Sequence, residues 1–452
     1  MKALQIFRDR KLRHTLLAIA VPIALQNLIT YCTGMMDTVM LGQLGEIQLS
    51  GASVANQYTM IFMGLSFGIA SGTNVLLSQY WGKRDTASMR SILAVMYWLT
   101  AALATLFFVG AYCFPEQIIR IFTPDIEVVA EGAKYLRVVC FSYWAMGLSN
   151  VMLMTLRAVG TVKISLVVYT VSLVVNTFLN WVLIFGKLGA PRLEMTGGAL
   201  ATVIARVAEV AIAGVYIFGL EQKIAMRLRG LFHFDRSFIK DFAVNVMPVV
   251  LNELLWSLGS SALMMVMGRM GRAFVTANSI TNITTQFAQI FTFGLSNATA
   301  VIIGNTVGAG ESDRALELSK GLMILSVFVG AFAGVVIFTI RPLVVACYNI
   351  TPQTKEVVMS VMGVASVVAV FQCIAIISMM GILRGGGDVH FVLVSDILFM
   401  WIFAIPLGAL VGLKFGWPPA IVYLVLKSDE ALKIIASVHR IWSGKWVKNL
   451  TR

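Results

Sequence analysis

The sequence predicts an all-α polytopic membrane protein: twelve transmembrane helices in two six-helix bundles related by a pseudo-twofold axis. Three observations predict it. Of the 452 residues, 58% are hydrophobic and only 13% charged, with a mean hydropathy of +0.84, far outside the range of soluble domains. The apolar residues fall into long runs separated by short polar connections. The second half of the chain repeats landmarks of the first.

The first run, 14–41, sets the pattern. Between Leu16 and Leu41 the only formal charge is Asp37. A helix needs about 20 apolar residues to cross a bilayer, so the run is long enough. It is too long for the apolar core of a signal peptide, and nothing near Asp37 and Gly42 resembles a cleavage site, so it reads as an uncleaved first span. Further runs at 53–79, 91–114, 135–156, 164–186 and 197–220 complete a first set of six. Those at 242–267, 278–305, 321–346, 357–382, 390–412 and 417–439 make a second. Internal prolines and glycines are compatible with these spans because neighbouring helices re-satisfy freed backbone groups.

The longest polar connection, 221–241, lies near the midpoint and divides the chain into an N-terminal lobe, 1–220, and a C-terminal lobe, 242–452. Pro22 and Pro248 are 226 residues apart. At the same offset Gly42 meets Gly268, Asn56 meets Asn282, Phe67-Gly68 meets Phe293-Gly294, and Gly82 meets Gly308. At 227, Leu156-Arg157 meets Leu383-Arg384 and Gly160 meets Gly387. An even number of spans returns each copy to its starting side, so the copies run parallel, with an axis along the membrane normal.

Charge supplies the orientation. The formal charge of +13 suggests nucleic acid at first sight, but in a polytopic chain Lys and Arg collect in cytoplasmic loops. With the N-terminus inside, 22 Lys and Arg fall on inner segments, Arg157 and Arg384 among them, and 10 on outer ones. Both termini are therefore expected in the cytoplasm, in the inner (plasma) membrane, with the lipid bilayer as partner and no nucleic acid. Five scattered cysteines and four distant histidines suggest neither a disulfide framework nor a metal site. There is no Walker A, HExxH or GxSxG pattern, so neither ATP drive nor the commonest hydrolytic chemistry is expected, and the chain does not read as an enzyme.

Charges inside spans are the candidate sites. A carboxylate at membrane depth costs roughly 2.5–3.5 kcal/mol on insertion scales and usually faces a cavity. Asp37 is either such a group or a helix-end acid reaching the interface. Asn176 and Asn180 share a helix face four residues apart and read either as oxygen ligands or as interhelical hydrogen-bonding glue. Glu253 follows Pro248 by five residues, and its repeat counterpart is Asn27. Arg206/Glu209 and Lys427/Glu430 each have i, i+3 spacing and read as structural ion pairs that echo one another across the repeat. Asp396 and Asp429 have no assigned role. Met35, Met36 and Met40, with Met264, Met265 and Met267, either line a cavity or pack ordinarily.

Pro22 and Asp37-Thr38-Val39-Met40-Leu41-Gly42 resemble the opening motif of the MATE (multidrug and toxic compound extrusion) family. So do Leu156-Arg157-Ala158-Val159-Gly160, Gly198-Ala199-Leu200-Ala201-Thr202 and Leu383-Arg384-Gly385, in order along essentially the whole chain. The resemblance implies two bundles forming a V and export of organic cations and drugs against inward H⁺ or Na⁺, with no other cofactor. It implies an N-lobe site of Asp37, Asn176, Asn180 and Thr202, with Tyr135 at a family position or simply at the interface, and a Pro22 that lets span one bend. Some members have an aspartate where this chain has Asn180, which leaves one charge fewer here. Some pair a span-seven glutamate with a span-ten aspartate. Glu253 fits the first, but 357–382 contains no acid and offers only Gln372. Asn282, opposite Asn56 in the repeat, completes the candidate set.

The expected function is a secondary antiporter, a monomer, exporting a small amphipathic and often cationic substrate in exchange for H⁺ or Na⁺. The alternatives are a lipid or glycan-precursor flippase of the related superfamily, and a membrane enzyme or non-transporting scaffold.

Overall fold

The computed structural model describes residues 10–232, 237–348 and 350–451. Residues 233–236 of the expected connecting loop lie outside the described residues, as do Lys2, Arg8 and Arg452 of the charge count.

Nearly everything described is helical. In chain order the helices are α1 (Arg10–Gly42), α2 (Glu46–Gly82), α3 (Thr86–Cys113), α4 (Pro115–Phe122), α5 (Ile126–Val139), α6 (Ser142–Ala158) and α7 (Lys163–Phe185). There follow α8 (Glu194–Leu220), α9 (Ser237–Met270), α10 (Arg272–Gly308), α11 (Ser312–Ala346), α12 (Pro352–Leu383) and α13 (Val389–Lys414). The last two are α14 (Pro419–Leu426) and α15 (Asp429–Trp442).

Ten of these are long and apolar enough to cross a membrane, and α5 with α6, bent by 52°, make an eleventh. The expected span at 417–439 is two shorter helices. Lys427, Asp429, Glu430 and Lys433 lie within it, and the chain breaks at Lys427-Ser428 between α14 and α15.

The chain divides into two compact units. One contains residues 25–77 and 85–250, the other 1–24, 78–84 and 251–452. The boundaries fall inside helices, after Ala24 in α1 and after Val250 in α9, two residues beyond Pro22 and Pro248. Thus α1 and α9 each contribute their first part to one unit and their remainder to the other. Small residues make those first parts fit. A side chain on Gly294 would fall 2.7 Å from the Ala20 carbonyl oxygen, and one on Gly72 would fall 2.9 Å from Val246. Ala20 and Val246 are repeat counterparts.

The Leu-Arg-x-x-Gly repeats end two helices identically. Thr161 N–H donates to the Leu156 carbonyl at 2.8 Å and Asp388 N–H to Leu383 at 2.9 Å, with Gly160 at φ 73° and Gly387 at φ 93°. These are left-handed glycine caps with the 6→1 bond of a Schellman turn. In each, the arginine points inward. Arg157 is 5% exposed and Arg384 3%. Counting them as cytoplasmic loop charges was therefore incorrect, because each is carried on the last turn of a span and turned into its own unit. Just before Arg384, α12 widens, and the Arg384 N–H bonds the Met379 carbonyl at 3.0 Å, five residues back.

Candidate functional site

Asp37 sits near the end of α1, half-buried. Its carboxylate accepts a hydrogen bond from Asn180 Nδ2 at 2.6 Å, and the same nitrogen donates to Asn176 Oδ1 at 3.2 Å. One helical turn of α7 presents both amides on one face, and they are 1% and 2% exposed. Asn180 Oδ1 is buried and accepts no hydrogen bond. A buried acceptor without a partner is a cost to the fold.

The motif around Gly198 makes this approach possible. A side chain on Gly197 would fall 2.7 Å from the Leu183 backbone, and one on Gly198 would fall 3.0 Å from Leu41 of α1. The two glycines let α8 lie against α7 and the end of α1. Thr202 follows one turn later, its hydroxyl donating to the Gly198 carbonyl at 3.0 Å. Tyr135 is 3% exposed, and its hydroxyl faces Thr202 and Asn56. It is a buried member of the group rather than an interfacial aromatic. Arg206 lies close enough to Asp37 to act on it through space and is held by Glu209 at 2.8 Å. Asp37, Asn176, Asn180, Tyr135 and Thr202 therefore converge within one unit.

Glu253 and Asn282 belong to the other unit. Glu253 is not a free acid awaiting a cation. Its carboxylate receives Arg384 Nη1 at 2.8 Å while Arg384 Nη2 donates to Asn252 Oδ1 at 2.7 Å. The partner was hidden in the Leu-Arg-Gly motif. Asn282 contributes its backbone carbonyl, which accepts from the Thr285 hydroxyl at 3.1 Å. Gln372 accepts from Gln289 of α10. Asn252 Nδ2 donates to Asp396, and Lys433 bridges Asp396 at 2.7 Å and Asp429 at 2.9 Å.

This corrects the repeat echo read between Arg206/Glu209 and Lys427/Glu430. Among the described residues no salt bridge joins Lys427 to Glu430. At the 227 offset Lys433 is the counterpart of Arg206, and Asp396 that of Tyr169, whose hydroxyl meets Gln26. Of the methionines, Met36 and Met40 border an open apolar groove of about 690 Å³ between α1 and α7, with Phe178 and Trp181. Met267 is core.

The MatE family model matches residues 22–182 and again 248–410, so each match begins at a repeat proline. The chain belongs to the MatE family. Among MatE relatives, it is 23% identical to the uncharacterized transporter YisQ of Bacillus subtilis (strain 168), over 96% of this chain and 95% of that one. It is 24% identical to the probable multidrug resistance protein NorM of Thermotoga maritima, over 98% and 95%. The crystal structure of a MATE protein in the bent conformation superposes with a TM-score of 0.87 at 16% identity, covering 98% of both chains. MatE proteins are transporters, and this chain is a multi-pass membrane transporter rather than an enzyme.

Proposed function

We propose that the protein exports amphipathic, often cationic, small molecules in exchange for H⁺ or Na⁺. The relatives named as multidrug resistance proteins support the substrate class. The observation that carries the coupling is the Asp37–Asn180 bond with its orphan amide oxygen. Ionised, Asp37 attracts a cationic substrate. Carrying a proton, or sharing Na⁺ with Asn176, Asn180 and Thr202, it loses that attraction. Ion and substrate drive one another only if they differ in affinity between the two facing states.

The protein works as a monomer in the cell (plasma) membrane with both termini cytoplasmic. Removing Arg157 and Arg384 from the inner count leaves the bias in the same direction. The transport lobes are 1–220 and 242–452, joined by 221–241. A flippase for a lipid or glycan diphosphate would need uncompensated cations at membrane depth, whereas Arg206 and Lys433 are both engaged by acids.

The test is ethidium flux in proteoliposomes under an imposed H⁺ or Na⁺ gradient. Uptake driven by one of the two gradients supports the reading, and equal, gradient-independent flux overturns it.

A further inference from the structure

We infer that Arg157 and Arg384 are positioning residues, a duplicated pair of clamps that fasten the post-proline parts of α1 and α9 to their own units and so turn Pro22 and Pro248 into paired hinges. The argument begins with the unit boundaries. Residues 10–24 of α1 go with one unit and 25–42 with the other, and α9 divides in the same way after Val250. A proline inside a helix lacks the N–H that would bond the carbonyl four residues back, here Ala18 and Val244. Each helix is therefore weakest just where it passes from one unit to the other.

A weak point alone does not make a useful hinge, because both arms must be held. The first arms are held by backbone-close packing at Ala20 on Gly294 and Val246 on Gly72. The second arms are held by the arginines. Arg157 Nη2 donates to Gln26 Oε1 at 3.3 Å. Arg384 donates through Nη2 to Asn252 Oδ1 and through Nη1 to Glu253. Gln26 and Asn252 each lie four residues after the proline and match one another at the 226 offset. Tyr169 and Asp396, again repeat counterparts, hold the other side of each amide. Chance does not place two buried arginines on equivalent amides one turn beyond equivalent prolines.

The clamps differ in the acceptors they reach. In the second unit the acceptor pair includes a carboxylate, and the guanidinium spans two acceptors with two different nitrogens. A lysine carries the same charge but has no planar fork to do this. In the first unit Asn27 stands where Glu253 stands in the second, and Arg157 Nη2 reaches the Gln26 amide oxygen at 3.3 Å.

The experiment uses the full chain with its five cysteines replaced. Nitroxide labels at Leu258 and Val394, both exposed and both in the second unit, report the clamped arm of α9. Labels at Val244 and Leu106, both exposed and both in the first unit, report the other arm. Arg384→Lys is expected to broaden the Leu258–Val394 distance distribution, leave Val244–Leu106 unchanged, and slow ethidium transport at least tenfold without loss of ethidium binding. Unchanged widths with wild-type transport would show that Arg384 supplies charge balance alone. Equal broadening of both pairs would show general loosening of the fold. Either result overturns the inference. Should Arg384→Lys fail to fold, Asn252→Ala removes one arm of the fork and is read in the same way. In addition, Pro248→Ala combined with the clamp variant is expected to be no slower than the slower single variant, and multiplicative slowing would count against a shared step.

Discussion

Asn180 Nδ2 lies 2.6 Å from the Asp37 carboxylate, while the Oδ1 of the same amide is buried without a partner. The two halves of one side chain thus play different parts. The donor half positions the carboxylate, and the acceptor half makes no hydrogen bond.

Asp37→Asn removes the charge but keeps the size. It is expected to abolish drug resistance in cells lacking other exporters while leaving membrane expression intact. Resistance equal to wild type would remove Asp37 from the mechanism.

Asn180→Leu takes away both halves of the amide. Removing one partner of a hydrogen-bonded charge leaves that charge poorly solvated, at about 1–3 kcal/mol. Ethidium transport is expected to fall at least tenfold, with a smaller loss on Asn176→Leu, since the Asn180–Asp37 bond survives there. Initial rates in the two variants, measured at equal protein content, check the order. An Asn176 variant worse than the Asn180 one would contradict the geometry.

The site was legible in part, and the reason differs residue by residue. Asp37 stood out because it is the one charge in a long apolar run, and Asn176 and Asn180 because four-residue spacing puts them on one helix face. Convergence with Tyr135 and Thr202 rested on resemblance, since no single-chain pattern brings α5, α7 and α8 together. Arg157 and Arg384 were misread because a charge directly after an apolar run looks like a loop residue. Only the direction of the last turn, set by a glycine cap, shows that it points inward. The Lys433 pairing was missed because i, i+3 spacing around Glu430 offered a nearer cation, whereas the tertiary partner Asp396 lies on α13. The last span was drawn whole because its apolar residues outweigh the break at Lys427-Ser428 in any sliding average.

Gly160 and Gly387 share a left-handed conformation but not surroundings, which gives a paired expectation. Around Gly160 there is open space, whereas a side chain on Gly387 would lie 2.7 Å from the Lys448 carbonyl oxygen. Gly160→Ala meets only backbone strain, about 1–2 kcal/mol. Gly387→Ala meets the same strain and also displaces the chain at Lys448. The second variant is expected to unfold at clearly lower temperature in intrinsic-fluorescence melts, and equal melting points would show that the contact at Lys448 yields freely.

The segment after α15 offers the sharpest stability test because one side chain holds it from both directions. Gln79 near the end of α2 donates to the Lys448 carbonyl at 3.1 Å and accepts from the Leu450 N–H at 2.8 Å. Lys448 N–H returns to the Gly386 carbonyl at 2.9 Å, and its ammonium meets Asp388 at 2.6 Å. Between them Trp446 is fully buried, with its indole against Gly386 and its N–H on the Ile441 carbonyl. Burying an indole this completely makes its truncation costly, about 3–5 kcal/mol for Trp446→Ala. Gln79→Ala leaves the indole in place but frees the Lys448 carbonyl and the Leu450 N–H, at about 0.5–1.5 kcal/mol per bond. Trp446→Ala is therefore expected to lower the melting temperature substantially. Gln79→Ala is expected to lower it slightly, yet to speed deuterium uptake at the Leu450 amide by an order of magnitude, while the Lys448 amide stays held by the Gly386 carbonyl. If both variants changed melting temperature and exchange in proportion, the segment would be held by bulk packing alone, and the two-way amide would contribute nothing of its own.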